Sequence, residues 1–297
     1  MKGEISMHFP YELALTAIVR DEAPYIKEWL DYHILLGVGH FYIYDNESHD
    51  ALMTVLRPYI DAGWVTYQKA PGENQQLPVY ADALVRYRMQ CRYMGFIDID
   101  EFILPLQKKS VIDIISQALQ SSPQAAGLAI NCKSFGSSGW EQRPAVGGVL
   151  DSYLYRAPDG FDWSEFPWKW DAHVKSIVDP RRTTAMVSPH HAKYQAGYMA
   201  VDEKGRRVDG MDNFVDDTAT IRINHYFTKS LAEWVDKRNK GCADCDRIRP
   251  MEEFFWRDRN DVYDDLIVRY REHLWQQWRS KQRHQSVLAA NQVAALR

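Results

Sequence analysis

The chain has 297 residues, a formal net charge of −4, 45% hydrophobic and 26% charged residues, the balance of a soluble globular protein with a substantial core. Mild acidity argues against a general nucleic-acid binder, no apolar run is long enough to span a bilayer, and four cysteines are too few to staple such a chain, which fits a reducing compartment. The opening MKGEISMHFPYE carries no apolar leader, so a cytoplasmic location is expected.

The first 135 residues alternate between strand and helix signals. Residues 12–20 (ELALTAIVR) read as a buried strand, and 24–37 as a helix with Pro24 in its first turn and Gly37 at its end. Strands are expected at 40–46, 64–70, 95–100 and 127–135, with helices at 50–63, 76–94 and 111–120. Strictly alternating elements with short connections predict an α/β fold with a mostly parallel sheet and helices on both faces. Beyond residue 135, short strand signals at 148–156, 173–178, 183–194, 197–203 and 219–227 predict an antiparallel or mixed half, followed by helices at 229–240, 251–257 and 262–280. The chain reads as one composite domain: an alternating half at 12–135, a mixed half at 136–228, and C-terminal helices and tail at 229–297.

In open α/β sheets ligands bind beyond the carboxyl ends of the strands. Three polar clusters fall there: Arg20, Asp21 and Glu22 after the first strand, Asp45, Asn46 and Glu47 after the second, and Asp98, Asp100 and Glu101 after the fourth. On an extended strand Asp98 and Asp100 share one face, and two carboxylates at a strand end can share a Mg²⁺ or Mn²⁺ ion that also meets substrate phosphates. Such an ion would offset the repulsion among three acids set in the apolar run GFIDIDEFILP. Acids further along that could serve as a general base are Asp162, Glu165 and Asp171 in a Trp-rich segment and Asp202 and Glu203 in VDEKG. Lys175 and Lys229 suit phosphate contact, and Gly136 and Gly139 suit a close backbone approach to a ligand. CADC at 242–245 has zinc-like spacing without a second pair nearby.

The segments AIVRDEAPYIKEWLDYHILLGVGHFYIYDNES, FIDIDEFILP, FGSSGWEQRP, KSIVDP, PHH, VDEKG and INHYFTKS, in this order, resemble glycosyltransferase family 92 and its bacterial relatives. The resemblance implies a GT-A (Rossmann-like) fold, a nucleotide-sugar donor (UDP-sugar, galactose foremost), Mn²⁺ or Mg²⁺ and inversion at the anomeric carbon. It implies that Asp98 and Asp100 hold the metal with His225, or alternatively His190. Arg20, Glu22, Asp45, Gln75, Gln76 and Tyr80 would line the donor pocket with Lys175 and Lys229. The acceptor would be a polysaccharide or a glycolipid. The competing readings are a nucleotidyltransferase on a related sheet, which would need a basic Gly-rich loop after strand one, and a non-catalytic carbohydrate-binding protein. The tail 274–297, with Trp275, Trp278, Val287 and Leu288 among Arg279, Lys281, Arg283 and Arg297 and no acid, suggests peripheral contact with an anionic membrane.

Overall fold

The computed structural model describes residues 8–167, 169–215 and 220–294, with side chains as far as residue 282. Its first half alternates as expected: β1 (Tyr11–Val19), α1 (Ala23–Leu36), β2 (His40–Asp45), α2 (Leu52–Asp61), β3 (Val65–Lys69), α3 (Gln76–Tyr87) and β4 (Cys91–Phe96). Strands β4, β1, β2 and β3 lie side by side and parallel. Successive β1 residues feed opposite faces. Leu13 and Leu15 pack with Trp29 and Leu30 of α1, while Ala14 packs with Tyr80 of α3 and with Phe96. α1 ends where Gly37 adopts φ 108° and returns its N–H to the Ile34 carbonyl, a left-handed cap that glycine takes without a Cβ penalty.

One expected boundary moves, and it matters for the site. The helix expected through residue 94 stops at Tyr87, because residues 91–96 extend to pair with β1, Tyr11 opposite Cys91 and Leu13 opposite Tyr93. β4 therefore ends at Phe96. Asp98 and Asp100 sit in a turn that leads into an unanticipated strand, β5 (Glu101–Pro105). The shared-face argument for a continuous strand does not apply to them.

α4 (Val111–Gln120) follows, capped by Ser110, whose hydroxyl accepts the Asp113 N–H. Then come β6 (Ala125–Ser134), α5 (Val149–Ser152), β7 (Tyr155–Arg156), β8 (Val174–Val178), β9 (Thr183–Met186), β10 (Ala192–Tyr194), β11 (Met199–Val201), β12 (Arg207–Val208) and β13 (Ile221–His225). The expected mixed character holds: β8 inserts antiparallel between β4 and β6, and β13 runs parallel to β6 and antiparallel to β5. β4 and β13 thus end on the same edge. Residues 149–152, expected as strand, form a helical turn because Glu28 accepts the Val149 and Leu150 N–H groups at its start.

The chain closes with α6 (Leu231–Lys240), α7 (Glu252–Arg257), β14 (Val262–Tyr263) and α8 (Leu266–Ala294). α8 docks through buried Ile267 and through Val268, Tyr270 and Leu274. Its Trp275 and Trp278 are exposed and stack at 5.0 Å, with Arg279 over Trp275. Of the tail residues read from the sequence, Arg283, Val287, Leu288 and Arg297 lie outside the residues whose side chains are described. Among the described residues, no helix is long and apolar enough to cross a membrane.

Candidate active site

A cleft of about 1270 Å³ opens at the carboxyl ends of β1, β4 and β13. Its floor is the turn 97–101. That turn is clipped on both sides: the Glu101 N–H donates to the Asp98 carbonyl (3.1 Å), the Asp98 N–H to Glu101 Oε2 (2.9 Å), and the Tyr226 N–H to the Asp100 carbonyl (2.8 Å). The chain bends here because bending satisfies these polar groups and aims the three acids at different partners.

Asp98 accepts hydrogen bonds from Gln76 Nε2 (3.0 Å) and from Lys175 Nζ (2.7 Å), and keeps a third of its side chain exposed to the cleft. Lys175, fully buried on β8, also reaches Glu101 Oε2 at 3.1 Å. Burial pulls the Lys175 pKa down, but Asp98 and Glu101 carry it well above the ordinary range. Glu101 is buried completely. Burial raises its pKa, Lys175 opposes the rise, and Asp98 and Asp100 add to it. Asp100 pairs with Lys237 and lies 3.7 Å from His225 Nε2. Burial alone would raise Asp100, yet Lys237, His225 and Lys229 hold it well below the usual carboxylate range. Burial lowers His225, with Asp100 opposing. Much of the compensation that the crowded acids require thus comes from two lysines, 77 and 137 residues away in sequence.

Lys237 follows from the folding of α6. Ser230 and Glu233 close a capping box at the helix start, and Glu233 also accepts hydrogen bonds from Tyr25 and Tyr153. Buried Trp234 anchors the helix against Phe227 and Phe254. Lys237, one turn further on the same face, lies 3.6 Å from the Phe227 ring centre and points its ammonium at Asp100. Burial and the neighbouring charges of Lys229 and Arg249 push it down to about 8 in spite of Asp100. Lys240, on the same helix, binds Glu22 at 3.2 Å. Burial raises Glu22, while Lys229 and Lys240 oppose the rise. Arg249 and Arg257 add to this cationic wall, the latter stacked between Phe227 (3.7 Å) and Trp170 (4.3 Å). None of Lys237, Lys240, Arg249 or Arg257 was singled out in the sequence. The available signal was Lys237 and Lys240 on a helix entered directly from the strand bearing His225.

The expected site residues separate into two groups. Arg20, Glu22, Gln76, Asp98, Asp100, His190, His225 and Lys229 line the cleft. Lys175 and Tyr80 lie beneath it, the Tyr80 hydroxyl accepting from Gln76. His190 points Nδ1 to the Val174 carbonyl (3.0 Å), and burial lowers its pKa. Asp45 instead clips its own turn, accepting from the Ser48 N–H and the Tyr67 hydroxyl. Gln75 donates to the Glu73 carbonyl. The expected bases fall outside the lining. Asp202 closes the β11–β12 hairpin with Arg206, and Glu203 accepts the Thr220 and Ile221 N–H groups. Asp162 caps Ser164, Glu165 is exposed, and Asp171 accepts the Ser134 N–H. Gly136 does approach a backbone closely, but that of Arg259, whose carbonyl a Cβ would meet at 2.4 Å.

The donor set fits a hard divalent cation. Asp100 Oδ1 and His225 Nε2 stand 3.7 Å apart, close enough to share one ion once Lys237 yields, whereas Asp98, held by Gln76 and Lys175, would have to close on that pair to complete the set. A second cluster, Glu101, Cys132 and His225, brings ligand atoms within 4.8 Å of one another below the floor.

The sequence profile of glycosyltransferase family 92 matches residues 16–242. A family 92 protein of Ricinus communis is 28% identical over 253 residues, covering 79% of this chain and 41% of the relative. A rice member is 27% identical over 262 residues, covering 86% and 43%. The chain thus spans about two fifths of the length of these curated relatives. A galactan beta-1,4-galactosyltransferase of Arabidopsis thaliana is 30% identical over 109 residues, 33% of this chain and 21% of that one. Among solved structures, S. aureus TarS residues 1–349 with UDP superposes with a TM-score of 0.41 at 11% identity, over 72% of this chain and 60% of that one.

Proposed function

Because this chain belongs to glycosyltransferase family 92, we propose that it transfers a hexose, galactose foremost, from a UDP-sugar to a saccharide or glycolipid acceptor, with inversion. The observation that carries this reading is the cleft itself: Asp98, Asp100 and His225 on the floor face the cationic wall of Lys229, Lys237 and Arg249. A nucleoside diphosphate with a divalent ion has the matching charge pattern. The galactosyltransferase name of a partial relative favours galactose. A GT-A fold agrees with the mostly parallel sheet and its ligand edge.

When bound, the cation neutralises charge developing on the leaving diphosphate. Asp98, Asp100 and His225 would hold it. Lys237, displaced from Asp100, would then face the diphosphate rather than a carboxylate, and Lys229 would add a second ammonium. Arg20 and Glu22, which line the cleft at the end of β1, would flank the donor, and Gln76 donates to Asp98 on the cleft floor. Inversion needs a carboxylate on the acceptor side to take the hydroxyl proton while the hydroxyl attacks the anomeric carbon opposite the leaving group. Asp236 suits that role: it lines the cleft on the exposed side of α6, next to Lys237.

The test is UDP release from UDP-galactose, UDP-glucose and UDP-N-acetylglucosamine, with Mn²⁺ or with a chelator, in the presence of galactan oligosaccharides or lipid extracts. Acceptor-stimulated, chelator-sensitive release with the product bond inverted is expected, as is loss of that release in Asp236→Asn with UDP affinity retained. Binding of oligosaccharide without any turnover would favour a carbohydrate-binding protein, and release of pyrophosphate from UTP and a sugar phosphate would favour a nucleotidyltransferase.

A further inference from the structure

The rim of the cleft beyond α6 is the loop 241–249, and it carries the two cysteines of CADC. The chain's other two, Cys91 and Cys132, are buried in the core. Cys242 is half-buried and Cys245 exposed, and their sulfurs and an Asp244 carboxylate oxygen lie within 4.8 Å of one another. The loop is fastened to the donor half at two points. The Ala243 carbonyl accepts the N–H of Gln76, the first residue of α3 (3.0 Å), and Asp246 Oδ1 accepts from Asn74 Nδ2 (2.8 Å). Gln76 is the residue whose side chain holds Asp98. The loop is also gripped from its own end: Arg249 donates to the Gly241 carbonyl (2.6 Å), and Cys242 to the Arg247 carbonyl (3.2 Å).

We infer that Cys242 and Cys245 form a reversible dithiol–disulfide site that fastens the rim loop against the start of α3. The geometry favours exchange over metal binding. Three donor atoms fall short of the four that a structural zinc takes, and the guanidinium of Arg249 bears on Cys242, a positive neighbour that repels a bound cation. Burial pushes Cys242 up to about 11, which leaves exposed Cys245 as the attacking thiol. The co-reactant is a low-molecular-weight disulfide such as oxidised glutathione. The Cys245 thiolate attacks one sulfur of the reagent, forming a mixed disulfide and expelling one thiolate. Cys242 then gives up its proton to solvent and attacks the Cys245 sulfur, expelling the second. Two protein thiols are oxidised and one external disulfide becomes two thiols. Closing so short a loop removes freedom from its open states, and the Gln76 N–H bonded to Ala243 reports that closure directly.

The experiment equilibrates the full chain in glutathione buffers of increasing oxidised fraction, quenches with a maleimide, and reads labels and mass by peptide mapping. Amide hydrogen exchange is followed at Gln76. Cys242 and Cys245 are expected to lose their labels together with the loss of two hydrogens and no added glutathione, and Gln76 exchange is expected to slow roughly tenfold in the oxidised form. Cys242→Ser should leave Cys245 carrying one glutathione and abolish the slowing. Independent glutathione adducts on both cysteines of the native chain, unchanged Gln76 exchange after the disulfide forms, or a co-purifying metal that blocks both thiols until chelated would each overturn the site. None of these readouts depends on glycosyl transfer.

Discussion

Along the floor of the cleft the acids Asp98, Asp100 and Glu101 come from four consecutive positions, and their arrangement is set by one turn between β4 and β5. The cations facing them come from β8, the approach to α6, α6 itself and the segment after it: Lys175, Lys229, Lys237 and Arg249. The floor is a local structure, whereas the wall is assembled by tertiary packing around Trp234 and Phe227. The two are coupled through buried charge pairs, and a buried carboxylate that loses its partner costs far more than an exposed one. Damage to either side should therefore be felt on the other, and the predictions below separate the chemical from the structural part of that coupling.

The largest effect is expected on the floor. Asp100→Ala should lower chelator-sensitive turnover on the order of a thousandfold, since a carboxylate that places charge against the leaving diphosphate is worth several kcal/mol in the transition state. UDP-release kinetics with a matched thermal melt measure it, and full turnover in a folded variant would remove Asp100 from the metal site. The wall comes next. Lys237→Met in the presence of chelator should destabilise the fold by about 3 kcal/mol, because it strands Asp100. Asp100→Asn/Lys237→Met should recover most of that loss in urea unfolding, and additive losses would mean that the two residues do not act as a pair.

A third prediction tests the support beneath the floor. His33 is buried on α1, bound at Nδ1 to the Trp29 carbonyl, and its Nε2 accepts the Ile103 N–H of β5 (3.3 Å). Burial lowers its pKa from 6.5 to about 3. A group with a depressed folded pKa contributes stability that is present above its unfolded value and lost as pH falls below it. Between pH 6.5 and 4.5 this amounts to roughly 2 to 3 kcal/mol. Urea unfolding across that window should show proton uptake on unfolding, to which the other buried histidines His40, His173, His190 and His225 also contribute, and His33→Gln should lower that uptake by about one proton. A slope unaltered in the variant would assign the acid sensitivity elsewhere. The smallest effect is expected at Asp45→Ala. Its carboxylate clips the turn at Ser48 and Tyr67, so stability should fall by about 1 kcal/mol while UDP affinity stays within about twofold. A tenfold loss of UDP affinity would instead restore the donor-binding role implied by the family resemblance.

The architecture was legible because strand–helix alternation is carried by local hydrophobic patterning, from β1 through α4, and because caps such as Gly37 and Pro24 announce helix ends in the chain itself. The cleft edge was legible for the same reason: Glu22, Asp98 and Asp100 each follow a strand whose direction the alternation sets, whereas His225 rested on the family resemblance. The sequence alone also determined that the acids at 98–101 need an external compensation, since three neighbouring carboxylates in an apolar run repel wherever the chain goes. It could not determine what supplies it. Lys237 reaches Asp100 only because Trp234 seats α6 on Phe227, and Lys175 reaches Asp98 only because β8 runs antiparallel between β4 and β6. The expected bases failed to reach the cleft on the same ground: Asp202 and Glu203 were absorbed by their own hairpin and by the N–H groups entering β13. Short-range patterning decides which segments extend or coil, because it depends on spacings of two to four residues. Pairings across 77 and 137 residues depend on the sum of all the packing between them, and only the folded chain resolves that sum.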